Sequence, residues 1–388
     1  MRFPIWCAKS RFRPRGAAAS FQVFSAADHE FMAQALRLAE RGLYTTTPNP
    51  RVGCVIVKDG KVVGEGWHQK AGEAHAEVHA LRAAGEGARG ATVYVTLEPC
   101  SHHGRTPPCA DALVAAGVAR VVAAMQDPNP QVAGRGITRL QAAGVVAECG
   151  LLEAEARELN IGFVARMTRG RPWLRLKVAA SLDGKTALEN GVSQWITGPA
   201  ARQDGHRWRA RACAILSGIG TVRDDDPRLN VRGVQTSRQP VKVIVDSRLA
   251  LSLNAKLLDA GEVIVATACE DRARMDALRG VGADILHLPD ANGKVDLSAL
   301  LKELGRRGVN ELHVEGGGRL NGTLVDAGLI DELLLYLAPC LIGDVARGMF
   351  SLPALASLEE KKCLAIRDAR MVGSDLRILA RLNSVMGG

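Results

Sequence analysis

The segment from His75 to Cys109 restricts the fold and the chemistry of this chain more than any other part of it. It contains the tripeptides His-Ala-Glu and Glu-Pro-Cys, and eight residues then separate Cys100 from the second cysteine. A catalytic zinc ion takes three protein ligands and keeps one position open for water. His75, Cys100 and Cys109 supply three ligands, and Glu77 is placed to transfer protons without binding the metal. The segment therefore predicts a catalytic zinc site.

The spacing of the two cysteines agrees with the zinc-deaminase signature H-x-E…P-C-x-x-C in all but one respect. The signature has two residues between the cysteines, whereas this chain has the longer loop SHHGRTPP. Pro107 and Pro108 precede ADALVAAG, and proline suits the start of a helix. We therefore expect Cys109 in a first helical turn, where the helix dipole favours a thiolate.

Three other interpretations of these residues are possible. His75 and His79 have the i, i+4 spacing of a metalloprotease, but that motif needs glutamate directly after the first histidine, where Ala76 stands. A structural zinc module uses four protein ligands, one more than this segment supplies. Buried core residues explain scattered cysteines and histidines, but not the combination of His-Ala-Glu, Glu-Pro-Cys and a second cysteine in one short unit.

Length and composition describe an ordinary globular protein of two or three domains. The chain has 388 residues, with 47% hydrophobic and 23% charged residues. Aromatic residues make up only 4%, and no basic block interleaves with them, which argues against a nucleic-acid surface. The net charge of +9 suits phosphorylated small molecules. No apolar run is long enough to span a membrane.

The number and spacing of the cysteines and the N-terminal segment indicate the cell compartment of the protein. Nine cysteines lack the spacing of a disulfide framework, which indicates a reducing compartment, and we expect a cytoplasmic protein. Residues 1–25 are rich in arginine and contain no acidic residue, as in a transit peptide. We favour the simpler interpretation, a disordered extension outside the fold.

Hydrophobic periodicity predicts an α/β fold for the first half of the chain. A helix capped by Asp28 is followed by a hairpin that turns at Asp59-Gly60. Helices from His75 to about Ala84 and at 110–116 then alternate with strands such as TVYVTL and RVVAAM. This order predicts a sheet covered on both faces, with both metal-binding segments at helix starts near strand ends.

The second half begins near Arg171 and predicts another α/β domain. Strands such as WLRLKVAAS, PVKVIVDS and ELHVEGGG alternate with helices, and LAIRDARMVGSDLRILARL predicts further strands. Glu315-Gly316-Gly317-Gly318 lies between a strand and a helix, where backbone amides can approach a phosphate. On its own this loop indicates no more than a candidate phosphate site, and it lacks the G-x-G-x-x-G pattern.

Two groups of motifs resemble one known family. TPNPRVGCVIV, GEAHAEVHAL, VTLEPCSHHGRTPPC and MQDPNPQVAGRG resemble the deaminase half of the bifunctional riboflavin-biosynthesis deaminase/reductases. SLDGK, SQWIT, TVRDDDPRLNVR, VIVDS and VEGGGRLNGTL resemble the reductase half. The resemblance implies a cytidine-deaminase-like three-layer domain at 26–170 and a dihydrofolate-reductase-like domain at 171–388. It also implies zinc and NADPH as cofactors, and it accounts for the long loop between the cysteines.

The resemblance also implies a role for each matching position. His75, Cys100 and Cys109 are the zinc ligands, Glu77 moves protons, and Asn49 contacts the substrate, while His102 and His103 are not assigned as ligands. The NADPH site is lined by Ala179, Trp195, Thr221, Asp225, Ser247, Gly317, Gly318, Arg319, Leu320, Asn321, Gly322 and Thr323. The reductase substrate is held by Ser193, Arg209, Leu229, Arg232 and Glu315, with the two arginines suited to its 5′-phosphate.

The implied function is a pair of consecutive reactions of riboflavin biosynthesis. The first half hydrolytically deaminates 2,5-diamino-6-(5-phosphoribosylamino)pyrimidin-4(3H)-one, and the second reduces the ribosyl chain to ribityl with NADPH. We expect a small phosphorylated pyrimidine as partner, no nucleic acid, no membrane, and a homo-oligomer (dimer or tetramer). The alternative is a tRNA or DNA base deaminase with an accessory domain, which needs stacking aromatics that this chain lacks.

Overall fold

The computed structural model describes residues 24–101, 108–130 and 132–382 of the chain. His102, His103 and nearly all of the predicted N-terminal extension lie outside these residues. The described residues build two α/β sheets, of five and nine strands, and a separate two-stranded ribbon. No helix formed by this part of the chain is both long and apolar enough to cross a membrane.

The five-stranded sheet has the order β2-β1-β3-β4-β5. Strand β1 pairs antiparallel with both β2 and β3, whereas β3, β4 and β5 run parallel. Its elements are α1 (Ala26–Glu40), β1 (Gly53–Lys58), β2 (Lys61–Trp67), α2 (Ala76–Ala84), β3 (Thr92–Val95), α3 (Cys109–Ala115), β4 (Arg120–Ala123), α4 (Arg135–Ala142), β5 (Val146–Cys149), α5 (Glu153–Leu159) and α6 (Ile161–Arg169).

Alternate residues of β1 pack on opposite faces of this sheet, as strand geometry requires. Cys54 and Ile56 join the core formed with α2, α3 and α4. Val55 and Val57 join the core formed with α1 and α5. The sheet is therefore the middle of three layers, and the prediction of a sheet covered on both faces is confirmed.

Two local predictions have different outcomes. The β1–β2 hairpin turns at Asp59-Gly60 with φ of 50° and 73°, the left-handed backbone of a type I′ turn, as predicted. The cap predicted for α1 was wrong, because Ser25, and not Asp28, occupies the N-cap position. Asp28 is the third helical residue of a capping box, and its carboxylate also accepts hydrogen bonds from Tyr94 and Arg120.

The nine-stranded sheet has the order β11-β10-β9-β8-β12-β6-β13-β16-β15. Its strands run parallel from β11 to β13, and β16 and β15 continue the edge antiparallel. The elements are β6 (Trp173–Ser181), β7 (Lys185–Ala187), α7 (Pro199–Arg211), β8 (Ala214–Gly218), α8 (Ile219–Asp225), β9 (Val241–Val245), β10 (Val263–Thr267), α9 (Arg272–Gly280), β11 (Ala283–His287), α10 (Leu297–Arg306), β12 (Glu311–Val314), α11 (Gly318–Asp326), β13 (Glu332–Ala338), β14 (Arg347–Gly348), β15 (Leu364–Val372) and β16 (Asp375–Leu382). Short 3-10 helices lie at Gly85–Ala88, Lys256–Leu258 and Leu358–Glu360.

A buried cluster of charges joins the two sheets. Arg51, just before β1, donates to Glu311 at the start of β12 over 2.8 Å. The same carboxylate accepts from Arg175 at 3.0 Å and from Arg211 at 2.7 Å. Although burial acts to raise the pKa of Glu311, Arg211, Arg51 and Arg175 hold it well below its usual range. Glu311 therefore stays ionised between the two halves of the chain.

Candidate active sites

The three predicted zinc ligands come together from three separate segments. His75 is the N-cap residue of α2, and Cys109 is the first residue of α3. Cys100 follows β3, and the Cys109 N–H donates to its sulfur over 3.3 Å. Nδ1 of His75 lies 3.3 Å from Sγ of Cys109 and 3.7 Å from Sγ of Cys100. Sequence positions 25 and 34 residues apart thus converge on one point.

The spacing of these atoms fits a tetrahedral zinc ion. With Zn–N of about 2.0 Å and Zn–S of about 2.3 Å, tetrahedral angles place nitrogen and sulfur about 3.5 Å apart. The two measured N···S distances, 3.3 and 3.7 Å, lie on either side of that value. All three ligand atoms lie within 4.8 Å of one another. The donor set therefore suits zinc without rearrangement of the backbone.

A hydrogen bond between the two thiols shifts their pKa values in opposite directions. The hydrogen bond from Cys109 lowers the pKa of Cys100 to about 4. The same bond, together with burial, raises the pKa of the Cys109 thiol above its usual range. A divalent cation between them favours both thiolates, because metal ligands bind in the deprotonated form.

Glu77 lies in the first turn of α2, buried beside the ligands. Burial raises the pKa of its carboxyl to about 7, and the Cys109 side chain is among its hydrogen-bond partners. A carboxyl that titrates near neutrality is suited both to accept and to donate a proton. Its position beside the ligand cluster is the one that a proton carrier requires.

Asn49 is connected to the ligand cluster through His68. The Asn49 amide nitrogen lies 3.1 Å from Nε2 of His68, and Nδ1 of His68 lies 3.1 Å from the carbonyl oxygen of Ala74. Burial lowers the pKa of His68, so the ring is neutral, donates from Nδ1 and accepts at Nε2. The rings of His68 and His75 pack edge to face with centroids 5.5 Å apart.

Glu98 is a structural part of this site that sequence reasoning missed. Its buried carboxylate accepts the backbone N–H groups of Asp127, Gly134, Gly136 and Ile137 at 2.8–3.3 Å. These bonds tie the first turn of α4 and the segment before it to the Glu-Pro-Cys loop. From the sequence, the Glu-Pro-Cys tripeptide indicated a role only for its cysteine. The backbone groups that bind Glu98 lie at least 29 residues further along the chain.

A second candidate site is a cleft of about 1430 Å³ in the nine-stranded sheet domain. Its volume exceeds that of a typical small-molecule pocket, as two bound molecules require. Most of the predicted reductase residues line it: Ala179, Ser193, Trp195, Arg209, Thr221, Asp225, Leu229, Arg232, Ser247, Glu315, Gly317, Gly318, Arg319 and Leu320.

The glycine loop faces this cleft at the start of α11. A Cβ on Gly317 would meet only Oγ1 of Thr221, at 3.8 Å, so its backbone is open to a ligand. A Cβ on Gly318 would lie 2.8 Å from the carbonyl oxygen of Gly348, which explains the need for glycine. Backbone N–H groups at a helix N-terminus bind phosphate, and the loop therefore fits a dinucleotide such as NADPH.

Three of the predicted cofactor residues lie outside the cleft lining. Asn321 is buried and donates to the carbonyl oxygen of Met349. The Cα of Gly322 packs against the backbone of Ser351, where a Cβ would approach to 2.0 Å. Thr323 is exposed and its hydroxyl donates to the carbonyl of Arg319, one turn back. These residues hold α11 in place and do not face the cleft.

The two predicted phosphate-binding arginines differ in their surroundings. Arg209 donates to both carboxylate oxygens of Glu315, with Nη2 to Oε2 at 2.7 Å. Although burial acts to raise the pKa of Glu315, Arg209 holds it well below its usual range. Arg232 is exposed and its guanidinium donates to the side chain of Asn230, so its charge is available to a ligand.

Lys177 and His206 also line the cleft, and sequence reasoning missed both. Burial lowers the pKa of Lys177, and it lowers the pKa of His206 to about 4. Lys177 stands in the alternating pattern of β6, where nothing distinguishes it from a surface lysine. The cleft therefore combines the imidazole of His206, the paired Arg209 and several further basic side chains, among them Lys177 and Arg232.

Known proteins resemble this chain over nearly its full length. A family model described as "Cytidine and deoxycytidylate deaminase zinc-binding region" matches residues 25–125, and one described as "RibD C-terminal domain" matches residues 172–372. The riboflavin biosynthesis protein RibD of Escherichia coli is 51% identical over 363 residues, covering 90% of this chain and 98% of its own. The chain belongs to the RibD family of riboflavin biosynthesis proteins.

Solved structures agree with this assignment. RibD of Acinetobacter baumannii is 45% identical, with a TM-score of 0.87 over 92% of this chain and 99% of its own. The diaminohydroxyphosphoribosylaminopyrimidine deaminase/5-amino-6-(5-phosphoribosylamino)uracil reductase of Thermotoga maritima is 33% identical, with a TM-score of 0.82 over the same shares of 92% and 99%.

These comparisons confirm the fold class, the two activities and both cofactors predicted from the sequence. The chain is a bifunctional enzyme of riboflavin biosynthesis, in which a zinc-dependent deaminase domain precedes an NADPH-dependent reductase domain. The alternative of a nucleic-acid base deaminase is therefore rejected.

Proposed function

We propose that His75, Cys100 and Cys109 bind the zinc ion of the deaminase and that Glu77 moves the protons. The single observation that carries this proposal is the convergence of the three ligand atoms beside a buried carboxyl. Zinc, when bound there, activates water for attack near neutral pH. Glu77 accepts a proton from the attacking water and delivers it to the departing amine, which leaves as ammonia. Asn49, held by His68, orients the substrate's ribose.

The substrate that this proposal assigns to the deaminase is 2,5-diamino-6-(5-phosphoribosylamino)pyrimidin-4(3H)-one. The pair of activities for which the Thermotoga relative is named supports it, as does the excess of positive charge on this chain. A purified chain should release ammonia from this compound and then oxidise one equivalent of NADPH. Absence of ammonia release by zinc-loaded protein would contradict the assignment.

For the reductase we propose that NADPH lies along the glycine loop and the substrate lies near the arginines. NADPH, when bound, supplies the hydride for reduction of the ribosyl chain. Backbone N–H groups of Gly317 and Gly318 hold a phosphate of the cofactor. Arg232 binds the substrate's 5′-phosphate, and Glu315 keeps Arg209 in place beside it. The boundary between the two domains is placed after Gly170.

Arg232→Ala should weaken reduction and spare deamination. It removes a charge-assisted contact to phosphate, which contributes roughly 1.5–3 kcal/mol, so kcat/KM for reduction of the supplied intermediate should fall about tenfold to a hundredfold. Arg232 suits this test better than Arg209, because truncating Arg209 also leaves the Glu315 carboxylate unpaired. Steady-state assays of both reactions on the same protein measure the effect.

The matched control is Arg272→Ala, which removes an exposed arginine at the start of α9. It should leave both reactions within about twofold of the unchanged enzyme, since distant sites without shared partners act independently. Equal loss of both activities in folded Arg232→Ala protein would show that the two sites are not separate.

We further propose that the protein is a homo-oligomer that associates through β15. Among the described residues β15 pairs only with β16, so one edge of it is open. Leu364, Ile366 and Met371 on this strand are 41%, 65% and 62% exposed. An exposed apolar edge strand is a surface that pairs with another chain. Ile366→Lys should shift the mass measured by light scattering to that of a monomer; an unchanged mass would exclude this edge.

A further inference from the structure

The loop that carries Asn49 is held by residues of both domains, and two of its carbonyl oxygens accept hydrogen bonds from the reductase domain. The Asn310 side-chain N–H donates to the carbonyl oxygen of Pro48 over 2.9 Å. The Thr236 hydroxyl donates to the carbonyl oxygen of Tyr44 over 3.2 Å. Both donors come from the reductase domain, 262 and 192 residues further along the chain. The deaminase loop from 44 to 51 therefore lies between its own active site and the second domain.

The contact at Pro48 acts on ψ, the backbone angle that the proline ring leaves variable. The proline ring fixes φ, so rotation about ψ is what turns the Pro48 carbonyl and the peptide plane leading into Asn49. The hydrogen bond from Asn310 holds that carbonyl, to which Nη2 of Arg166 makes a longer contact of 3.5 Å. The N–H of the same peptide plane donates to the carbonyl oxygen of Thr46 at 2.9 Å, and these contacts together set ψ. Asn49 then reaches Nε2 of His68 at 3.1 Å, next to the ligand His75. Asn310 makes the shortest of the contacts to the Pro48 carbonyl and thus helps to fix where the Asn49 side chain begins.

Asn310 is itself rigidly placed. It is buried, and its side-chain oxygen accepts from Nε of Arg166 at 2.6 Å. Its backbone N–H donates to Sγ of Cys213 at 3.2 Å, and its carbonyl oxygen accepts from Trp173 at 2.8 Å. Asn310 directly precedes β12, so its backbone is anchored to the centre of the nine-stranded sheet.

From these contacts we infer that Asn310, in the reductase domain, is a positioning residue for deamination. It touches neither the zinc ligands nor the substrate, and it acts by fixing Pro48 and hence Asn49. The inference rests on the proposed function, in which Asn49 orients the deaminase substrate. The strand that follows Asn310 leads at its other end to Glu315 in the reductase cleft. One strand therefore supports both active sites of the enzyme.

The test uses the full chain with Asn310→Asp, which keeps the shape and the acceptor for Arg166 but removes the N–H donor. KM for deamination should rise by about threefold to tenfold. The turnover number should stay within about twofold and zinc content at one equivalent, because the ligands and Glu77 are untouched. Reduction of the supplied intermediate should be unchanged. Asn310→Ser, too short to reach Pro48, should produce the same rise.

The matched control is Asn254→Asp, an exposed asparagine of the reductase domain, which should change neither reaction. An unchanged deamination KM in folded, zinc-loaded Asn310→Asp and Asn310→Ser proteins would overturn the inference. So would a parallel loss of both activities that follows the melting temperature, because that is the behaviour of a residue that only stabilises the domain contact. Failure of the unchanged enzyme to deaminate would instead overturn the proposed function, and this inference with it.

Discussion

Glu77→Gln should bind one zinc ion and release ammonia at least ~10² times more slowly than the unchanged enzyme. The amide keeps the size of the side chain and leaves His75, Cys100 and Cys109 in place, so metal content is expected to stay at one equivalent. It cannot carry a proton from water to the departing amine. Ammonia release and metal content, measured on the same preparation, separate loss of the proton carrier from loss of the metal.

The reductase provides an internal check on this variant. Glu77 lies in the deaminase domain, and reduction of the supplied intermediate should remain within about twofold. Glu86→Gln is the matched control, since Glu86 is an exposed carboxylate of the same domain and should leave deamination unchanged. Deamination at the normal rate by zinc-loaded Glu77→Gln protein would remove Glu77 from the mechanism.

Cys109→Ser should lose nearly all of its zinc and, with it, the deaminase reaction. Zinc binds the thiolate, and a serine hydroxyl stays protonated at neutral pH, so one of three protein ligands is lost. Among the described residues, His75, Cys100 and Cys109 are the one group whose ligand atoms converge as a metal site requires. Metal analysis after dialysis measures the effect directly.

The same substitution at Cys149 is the control for Cys109→Ser. Cys149 lies at the end of β5 in the same domain, is a free thiol, and is not close to the ligand cluster. Cys149→Ser should keep one zinc equivalent and full deamination. A full zinc equivalent in Cys109→Ser protein would contradict the proposed ligand set.

The convergence of the three proposed zinc ligands could be expected from the sequence, because local rules place two of them. His75 and Cys109 each begin a helix, and the start of a helix can be recognised from short patterns. The alternation of strands and helices then brings the two helix starts to one edge of the sheet. Nothing beyond short-range pattern and the order of elements was needed to bring them together.

Contacts between distant segments could not be predicted in this way. Arg51 and Glu311 are 260 residues apart, and each is an ordinary charged residue in its own strand or loop. The structural role of Glu98 likewise depends on backbone N–H groups that fold against its carboxylate. The resemblance also places Asn321, Gly322 and Thr323 at the cofactor, whereas the cleft lining on α11 ends at Leu320.

The carboxylate of Glu311 has a consequence for dividing this enzyme into separate halves. A cut after Gly170 leaves Arg51 on one fragment and Glu311 on the other, and each fragment then exposes a charged surface that was built to be buried. Glu311 keeps Arg175 and Arg211 as partners on its own fragment, whereas Arg51 loses its carboxylate partner and faces water. A deaminase fragment intended for independent use therefore carries at position 51 a surface cation that is buried in the full chain. The two halves are expected to act as separate catalysts, and a buried ion pair links them as folded bodies.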